Sequence, residues 1–198
     1  ADAVRRWQAL VGARAAAAPS CHEDGSASQA PAGAPVVVLA GAPNVGKSTL
    51  FNALTGARRT VGNWPGTTVE VGRGGCVVEG RVADVVDLPG SYSLDPLSPD
   101  EALTREVVLA EGAERPDVVV VVASAAHLAR SLYLVAQVRE TSLPVVVALT
   151  MGDVAERRGI RVDAATLADA IGCHVVALDP RRRSGVEGLV AATGAAIG

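Results

Sequence analysis

Short apolar runs alternate with segments of helical periodicity from residue 36 to the end of the chain. The runs are rich in valine and lack the polar–apolar alternation of strands with one solvated face. They predict strands covered on both faces, at Val36–Ala40, 69–79, Arg81–Asp87, 118–123, 145–149 and 175–178. The segments between them predict helices at 48–54, 100–110, 128–140, 163–171 and 186–196.

This alternation of strands and helices predicts an α/β domain with a mainly parallel sheet and helices on both faces. In such sheets ligands bind beyond the carboxyl ends of the strands. The loops that follow the strands are therefore the places to look for chemistry.

The first 35 residues differ from the rest, since twelve of them are alanine. Apolar spacing predicts a short helix at 4–18, and the Ser-, Gly- and Pro-containing stretch after it predicts a flexible linker. We therefore expect two parts, an N-terminal helix with linker at 1–35 and a folded domain at 36–198.

Composition narrows the class of protein. The longest apolar run, 118–126, has nine residues, less than half of what crosses a bilayer, so the chain is not expected to span a membrane. A net charge of −3 argues against a nucleic-acid partner.

Three widely separated cysteines do not form a disulfide framework, which favours a reducing compartment. The sequence has no initiator Met and no signal-peptide core, so we expect a soluble piece of a longer protein.

A phosphate-binding loop of the form GxxxxGK[ST] follows the first predicted strand and opens the first predicted helix through Thr49. Its backbone N–H groups are expected to converge on phosphate, Lys47 to supply a charge to the β and γ phosphates, and Ser48 to ligate Mg²⁺. The loop consists of Gly41, Ala42, Pro43, Asn44, Val45, Gly46, Lys47 and Ser48.

A second element stands at the end of the strand Arg81–Asp87 and consists of Asp87, Leu88, Pro89 and Gly90. Asp87 can reach Mg²⁺ through water, and the Gly90 N–H can sense a γ-phosphate, which would make the following loop a switch. Between the two elements lies a polar loop at 61–70, in which a threonine can complete the Mg²⁺ shell. Trp64 lies in this loop, and we hypothesise that it packs into the domain in one nucleotide state and swings out in the other.

The base-reading element follows the strand predicted at 145–149 and consists of Thr150, Met151, Gly152 and Asp153. The Asp153 carboxylate can accept hydrogen bonds from the guanine N1–H and the exocyclic amine. Adenine lacks that pair of donors, so Asp153 predicts guanine rather than adenine.

Together these motifs closely resemble the N-terminal G domain of FeoB, the bacterial ferrous iron transporter family. The resemblance runs from about Val36 to the C-terminus. It implies a Ras-like P-loop GTPase domain at the cytoplasmic face of the bacterial plasma membrane, next to helical and transmembrane permease domains that this chain lacks. It is carried by Gly41-Ala-Pro-Asn-Val-Gly-Lys-Ser-Thr49, Val61-Gly-Asn-Trp-Pro-Gly-Thr-Thr-Val-Glu70, Asp87-Leu-Pro-Gly-Ser-Tyr-Ser-Leu94, Arg130-Ser-Leu-Tyr-Leu134 and Asp153-Val-Ala-Glu-Arg-Arg-Gly-Ile160.

The resemblance also implies roles for individual residues. Thr68, rather than Thr67, is the switch threonine and Mg²⁺ ligand, and Asn44 helps to hold a K⁺ ion that stimulates hydrolysis. Ser91 stands where Ras-like enzymes have a water-orienting Gln, so intrinsic hydrolysis is expected to be slow. The catalytic residues it implies are Asn44, Lys47, Thr68 and Gly90, and further contacts to GTP or GDP are Gly66, Thr67, Asp179, Pro180 and Arg181.

Three positions depart from the family pattern. Thr150 replaces the usual Asn and loses an amide donor that ties loops together. Pro180 lacks an N–H for the guanine O6, which leaves Arg181 as the expected donor. Ser124 replaces an Asp. These changes are expected to affect nucleotide affinity more than fold.

The sequence thus predicts a slowly hydrolysing GTP-binding domain that regulates ferrous iron transport. Two alternatives stay open. One is a K⁺-dependent GTPase of the ribosome-assembly or tRNA-modification type, and the other is a nucleotide-sensing module with negligible turnover. The sequence also leaves open whether the protein forms a homo-oligomer.

Overall fold

The computed structural model describes residues 30–57, 60–64, 69–112 and 115–198. Seven strands form one sheet in the order β2-β3-β4-β1-β5-β6-β7. The strands are β1 Val36–Ala40, β2 Thr60–Asn63, β3 Glu70–Val78, β4 Arg81–Asp87, β5 Val118–Ser124, β6 Val145–Thr150 and β7 His174–Ala177. The helices are α1 Lys47–Thr55, α2 Pro99–Val108, α3 Leu128–Arg139, α4 Gly152–Arg157, α5 Ala164–Ile171 and α6 Val186–Ile197, with a 3₁₀ turn at Ala125–His127.

Parallel pairing prevails in the sheet, as the sequence predicts. Strand β1 pairs in parallel with β4 and β5, and the parallel order continues through β6 to β7. Only β3 pairs antiparallel, with β2 on one side and β4 on the other. The carboxyl ends of β1, β4, β5, β6 and β7 therefore meet at one edge, where the phosphate loop, the Asp87 element and the base-reading element lie.

Strand β5 shows why the valine runs predict two covered faces. All of its residues are buried. Val118, Val120 and Val122 lie in one apolar cluster with residues of α1 and α6, whereas Val119 and Val121 lie in another with residues of α3. Because both faces are covered, polar alternation is absent and the strand reads as a continuous apolar run.

Two elements were not predicted from the sequence. Strand β2 falls in the segment that the sequence analysis treats as loop. It has four residues, includes Gly62, and is defined by its pairing with β3, which is not a local signal. Helix α4 opens with Gly152 and Asp153, a pair that resembles a turn, and buries only Ala155. The helix predicted at 4–18 lies outside the described residues.

Trp64 directly follows β2 and is 3% exposed. It packs in a cluster with Val71 of β3 and with Leu103 and Val107 of α2. The Arg73 guanidinium lies over the indole ring, 5.7 Å from its centroid. Trp64 therefore joins the β2–β3 pair to α2.

Within the part of the chain that the structure describes, none of the helices has the length and apolar character needed to cross a bilayer.

Candidate nucleotide-binding site

The phosphate loop connects β1 to α1 through backbone conformations that few residues adopt. Asn44 and Gly46 have φ angles of 63° and 92°, in the left-handed region that glycine and asparagine tolerate best. At Gly41 a Cβ atom would lie 2.5 Å from the carbonyl oxygen of Val122. Position 41 therefore requires glycine, because the loop passes against the backbone of β5.

Lys47, Ser48 and Asp87 meet at the mouth of this loop. Lys47 Nζ lies 2.9 Å from one carboxylate oxygen of Asp87, and the Ser48 hydroxyl donates to the other at 2.9 Å. The Lys47 and Asp87 side chains are only 10% and 4% exposed. The structure thus brings together three residues that the sequence singled out from segments 40 positions apart.

The donor set at this point fits Mg²⁺. Hydroxyl and carboxylate oxygens of Ser48 and Asp87 are the hard ligands that Mg²⁺ takes alongside phosphate oxygens and water. Among the described residues, no group of three or more His, Cys, Asp or Glu side chains could hold a metal ion by itself.

The segment after β4 lies directly on the phosphate loop. A Cβ atom at Gly90 would meet the Pro43 ring, 2.7 Å from Cγ and 3.0 Å from the backbone nitrogen. The Ser91 N–H donates to the Gly41 carbonyl at 3.0 Å. This contact between Gly90 and Pro43 escapes sequence reasoning, which treats the two motifs separately.

Ser91 is turned away from the site. It is fully buried, and its hydroxyl donates to the carbonyl oxygen of Ser93. In this arrangement Ser91 has no free hydroxyl to offer to a water molecule. That Ser91 does not replace the water-orienting Gln of Ras-like enzymes stays a prediction.

A cavity of about 820 Å³ continues from the phosphate loop toward the ends of β6 and β7. Val45 and Thr49 line one side of it, and the base-reading element Thr150 to Asp153 lines another. Asp153 is exposed and pairs with Arg157 one turn further along α4, at 3.0 Å. A cavity that joins a phosphate loop to an accessible carboxylate has the layout that a nucleotide requires.

Thr150 connects strand β6 to neighbouring segments through its one hydroxyl. It is 1% exposed, and its hydroxyl lies 2.7 Å from the Val45 carbonyl oxygen and 3.2 Å from that of Ala123. One hydroxyl therefore joins β6 to both the phosphate loop and β5. Met151 follows with a left-handed φ of 60°, and the Ser124 hydroxyl lies 3.6 Å from its sulfur.

The last loop of the cavity is closed by Asp179. Its carboxylate oxygen Oδ1 accepts from the backbone N–H of Arg181 at 3.0 Å and of Arg182 at 3.4 Å. Asp179 also forms an isolated β-bridge with Ser184. The Arg181 N–H, expected to meet the guanine O6, is thus bonded to Asp179 in this conformation, and its contact with a base stays a prediction. An Asp can bond the backbone N–H groups two and three residues further on, and this Asx-turn signal at Asp179 could have indicated the contact from the sequence.

Asp163 lines the far end of the cavity and caps α5. Hydrogen bonds from the backbone N–H and the hydroxyl of Thr166 hold the pKa of Asp163 below its ordinary value. The carboxylate is therefore charged at neutral pH and adds negative charge to this end of the cavity.

Three predicted contacts lie outside the described residues, namely Gly66, Thr67 and Thr68. Their roles stay predictions. The other predicted site residues lie on the phosphate loop, on the segment after β4 or on the loops after β6 and β7, all at one edge of the sheet.

A family model described as ferrous iron transport protein B matches residues 35–193. The chain belongs to the FeoB family. Two relatives are the Fe(2+) transporters FeoB of Legionella pneumophila strain Lens, 43% identical over 156 residues, and of Salmonella typhimurium strain LT2, 43% identical over 155 residues. These matches cover 77% and 76% of this chain but 20% of each FeoB relative, so the chain spans about one fifth of their length.

Solved FeoB structures share the fold. The cytosolic domain of L. pneumophila FeoB is 43% identical, with a TM-score of 0.72 over 78% of this chain and 60% of that chain. The FeoB G domain from Methanococcus jannaschii is 37% identical, with a TM-score of 0.70 over 83% of this chain and 97% of that one. The residues described here therefore form the N-terminal G domain of the FeoB family, with the Ras-like GTPase fold. The family match disfavours a GTPase of the ribosome-assembly or tRNA-modification type.

Proposed function

We propose that this domain binds GTP and GDP with Mg²⁺, hydrolyses GTP slowly, and regulates a ferrous iron transporter. The observation that carries the proposal is the meeting of Lys47, Ser48 and Asp87 at the mouth of a phosphate loop, beside a cavity that Asp153 also lines. Structures of the Thermotoga maritima FeoB cytosolic domain in GDP and GMPPNP forms support a guanine nucleotide as the ligand.

Phosphate binding would use the loop from Gly41 to Ser48 and the start of α1. Lys47 would exchange its bond to Asp87 for the β- and γ-phosphate oxygens, and the backbone N–H groups around Gly46 would donate to the same phosphates. Ser48 would hold Mg²⁺ directly, Thr68 would complete its shell, and Asp87 would back it through water. When bound, Mg²⁺ neutralises charge that develops on the phosphates.

Base selection would rest on Asp153. Its carboxylate is exposed and pairs with an exposed Arg157 in the same helix. Such exposed pairs are worth at most about 1 kcal/mol, so guanine donors can replace Arg157 with little loss. Thr150 would keep the base-reading strand aligned with the phosphate loop through Val45.

Slow hydrolysis follows from the absence of a water-orienting side chain at position 91. Ser91 is buried and its hydroxyl is bonded elsewhere. Asn44, held in a left-handed conformation within the phosphate loop, would help to hold K⁺ against the phosphates. When bound, K⁺ offsets charge on the bond between the β- and γ-phosphates. The Gly90 N–H would then sense the γ-phosphate and pass its presence to the loop that follows.

The role in iron transport is inferred from the relatives, which are Fe(2+) transporters several times longer than this chain. We propose that the domain works at the cytoplasmic face of the bacterial plasma membrane, together with helical and transmembrane permease domains. Ferrous iron would be the cargo of that assembly. No residue of the site described above is assigned to Fe²⁺.

A second candidate function is a nucleotide sensor with negligible turnover. Two observations favour it, the burial of Ser91 and the bond between the Arg181 N–H and Asp179. Single-turnover hydrolysis in K⁺ and in Na⁺ separates the two. Loss of bound GTP within minutes to hours, faster in K⁺, supports the GTPase, whereas GTP that stays intact over many hours supports the sensor.

The binding proposal is tested by titrating fluorescent GDP with Mg²⁺ and competing with GTP, GDP and ATP. We expect micromolar affinity and displacement by the guanine nucleotides but not by ATP. Asp153→Asn should weaken GDP by at least about tenfold, because the neutral amide can accept only one of the two guanine donors and turns its own NH₂ group toward the other. Arg157→Ala is the matched control and should change affinity by less than about twofold. No binding up to millimolar nucleotide would overturn the proposal.

A further inference from the structure

Helix α3 presents a polar strip to the loop that follows Gly90. The strip consists of Arg130, Tyr133 and Gln137, which lie on one face because they are three and four residues apart. We call residues 91–98 the switch loop. The Arg130 guanidinium stacks on Tyr92 of this loop at 3.6 Å from the ring centroid, so contact with the strip begins two residues after Gly90.

Gln137 makes the most complete contact of the strip. Its side-chain carbonyl accepts the Leu94 N–H at 2.7 Å, and its NH₂ group donates to the Asp95 carboxylate at 2.8 Å. Tyr133 adds a weaker bond to the same carboxylate at 3.3 Å. From the opposite side Arg105 of α2 donates to the Leu94 carbonyl at 3.1 Å. Both backbone polar groups of Leu94 are thus held by side chains from two different helices.

The Leu94 side chain reinforces this anchor. It is 6% exposed and packs in the apolar cluster that contains Leu134 and Val138 of α3. A residue fixed by burial and by two backbone hydrogen bonds has little freedom to move. The switch loop therefore has a firm attachment to α3 at this point.

The distance along the chain from Leu94 back to Gly90 is short. Between them the Ser91 N–H is bonded to Gly41, and the Ser91 hydroxyl is bonded to Ser93. Gly90 itself lies against Pro43. Only three residues separate Leu94 from Gly90, and two of them, Ser91 and Ser93, are hydrogen-bonded to each other.

We propose that Gln137 is a positioning residue for GTP hydrolysis. It does not touch the nucleotide; by holding Leu94 and Asp95 it fixes where the Gly90 N–H lies relative to the γ-phosphate. The proposal rests on the GTPase function inferred above. It assigns a role to the helical segment that begins with Arg130-Ser-Leu-Tyr-Leu134, which the nucleotide site itself does not use.

The first test is Gln137→Ala in the 198-residue chain. We expect the single-turnover rate of GTP hydrolysis to fall about five- to tenfold, the equivalent of one or two hydrogen bonds. GDP affinity should stay within about twofold, because GDP has no γ-phosphate to sense. Hydrogen exchange at the Leu94 amide should become faster. Glu140→Ala, at the exposed end of the same helix, is the control and should change none of these.

A second test exchanges the hydrogen-bond donor and acceptor between positions 137 and 95 and asks whether the hydrolysis rate recovers. Gln137→Glu can still accept the Leu94 N–H but sets a second carboxylate against Asp95, so hydrolysis should again be slow. Adding Asp95→Asn supplies an amide donor to the new carboxylate, and the double variant should recover at least about half of the wild-type rate. A purely structural role for Gln137 would instead lower thermal stability, GDP affinity and rate together.

Two results would overturn the proposal. One is a wild-type rate in Gln137→Ala although Leu94 exchanges faster, and the other is a double variant no faster than Gln137→Glu. If the wild-type chain binds GDP and hydrolyses GTP while either result is found, only the role of Gln137 fails. If the wild-type chain neither binds nor hydrolyses guanine nucleotide, the proposed function fails, and with it the positioning role.

Discussion

The hydroxyl of Thr150 donates a hydrogen bond to the carbonyl oxygen of Val45, 2.7 Å away and 105 residues earlier in the chain. This bond connects the strand that precedes the base-reading Asp153 to the loop that would hold phosphate. Two parts of one ligand must be bound at a fixed separation, so the bond aligns the two halves of the site.

Removing this hydroxyl should weaken nucleotide binding. Thr150→Val keeps the shape of the side chain but leaves the Val45 carbonyl without its partner, which costs about 1–3 kcal/mol of stability. We expect GDP affinity to fall about three- to tenfold in the fluorescence titration, with a lower melting temperature.

Thr193→Val is the matched control for this substitution. Thr193 is also buried, and its hydroxyl bonds the Leu189 carbonyl inside α6, away from the site. It should change melting temperature slightly and leave GDP affinity unchanged. Equal losses of affinity in the two variants would contradict the aligning role of Thr150.

Gly90→Ala should uncouple nucleotide binding from hydrolysis. The added Cβ would lie 3.0 Å or less from Pro43 atoms, including the backbone nitrogen, so the segment must move away from the phosphate loop. We expect single-turnover hydrolysis to fall at least about tenfold, because a small displacement of a group that acts in the transition state is costly. GDP affinity should change far less.

Gly188→Ala serves as the control for Gly90→Ala. A Cβ there would meet only Val176 Cγ1 at an ordinary 3.6 Å, and alanine favours the helix. An undiminished hydrolysis rate in Gly90→Ala would show that the contact with Pro43 does not set the position of Gly90.

Trp64 is expected to report the nucleotide state. It is buried here against α2, and the segment 65–68 that follows contains the predicted Mg²⁺ ligand Thr68. In a Trp7→Phe background, replacing GDP by a non-hydrolysable GTP analogue should shift the emission of Trp64 to longer wavelength as the indole meets water. Trp64→Phe should abolish the signal, and equal emission in the two states would contradict the hypothesis.

The ionised carboxylate of Asp163 should make a small contribution to the free energy of unfolding, and this contribution should depend on pH in the acidic range. Thr166 donates to its carboxylate from the backbone N–H and from the hydroxyl, each at 2.7 Å, and this lowers the pKa of Asp163 from its ordinary 3.8. The unfolded chain binds the proton more readily, so the contribution is complete above about pH 4 and is lost as pH falls through the lowered pKa.

Asp163→Asn keeps a good helix cap but cannot titrate. The difference in melting temperature between wild type and this variant should therefore be larger near about pH 6 than near about pH 3. The same difference at both values would show that charge at this cap does not matter.

Features decided by local sequence were predictable. The phosphate loop and the Asp87 element have fixed residue spacing, and the valine runs mark buried strands by the absence of alternation. What the sequence does not state is which distant groups meet. The bond of Thr150 to Val45 and the approach of Gly90 to Pro43 each depend on chain segments far apart.

Substitutions were harder to interpret than motifs. The sequence shows that Thr150 keeps one hydroxyl and loses an amide donor relative to Asn, but only the fold shows that this hydroxyl reaches Val45 and Ala123. Conversely, the Arg181 N–H looked available, and only the folded turn shows it bonded to the carboxylate of Asp179. In both cases a side chain bonds a backbone group. The sequence does not show whether such a bond forms, because the fold sets the distance between the two groups.

The order of strands divides the sheet into two groups, and the departures from the family pattern all fall in one of them. Strand β1 separates the strands that border the switch segments, β2 to β4, from those that carry the base-reading loops, β5 to β7. Thr150, Pro180 and Ser124, the departures from the family pattern, all lie on the second side. These three positions therefore lie on or after the strands next to the loops proposed to contact the base, and not on the strands that lead into the segments proposed to sense the γ-phosphate.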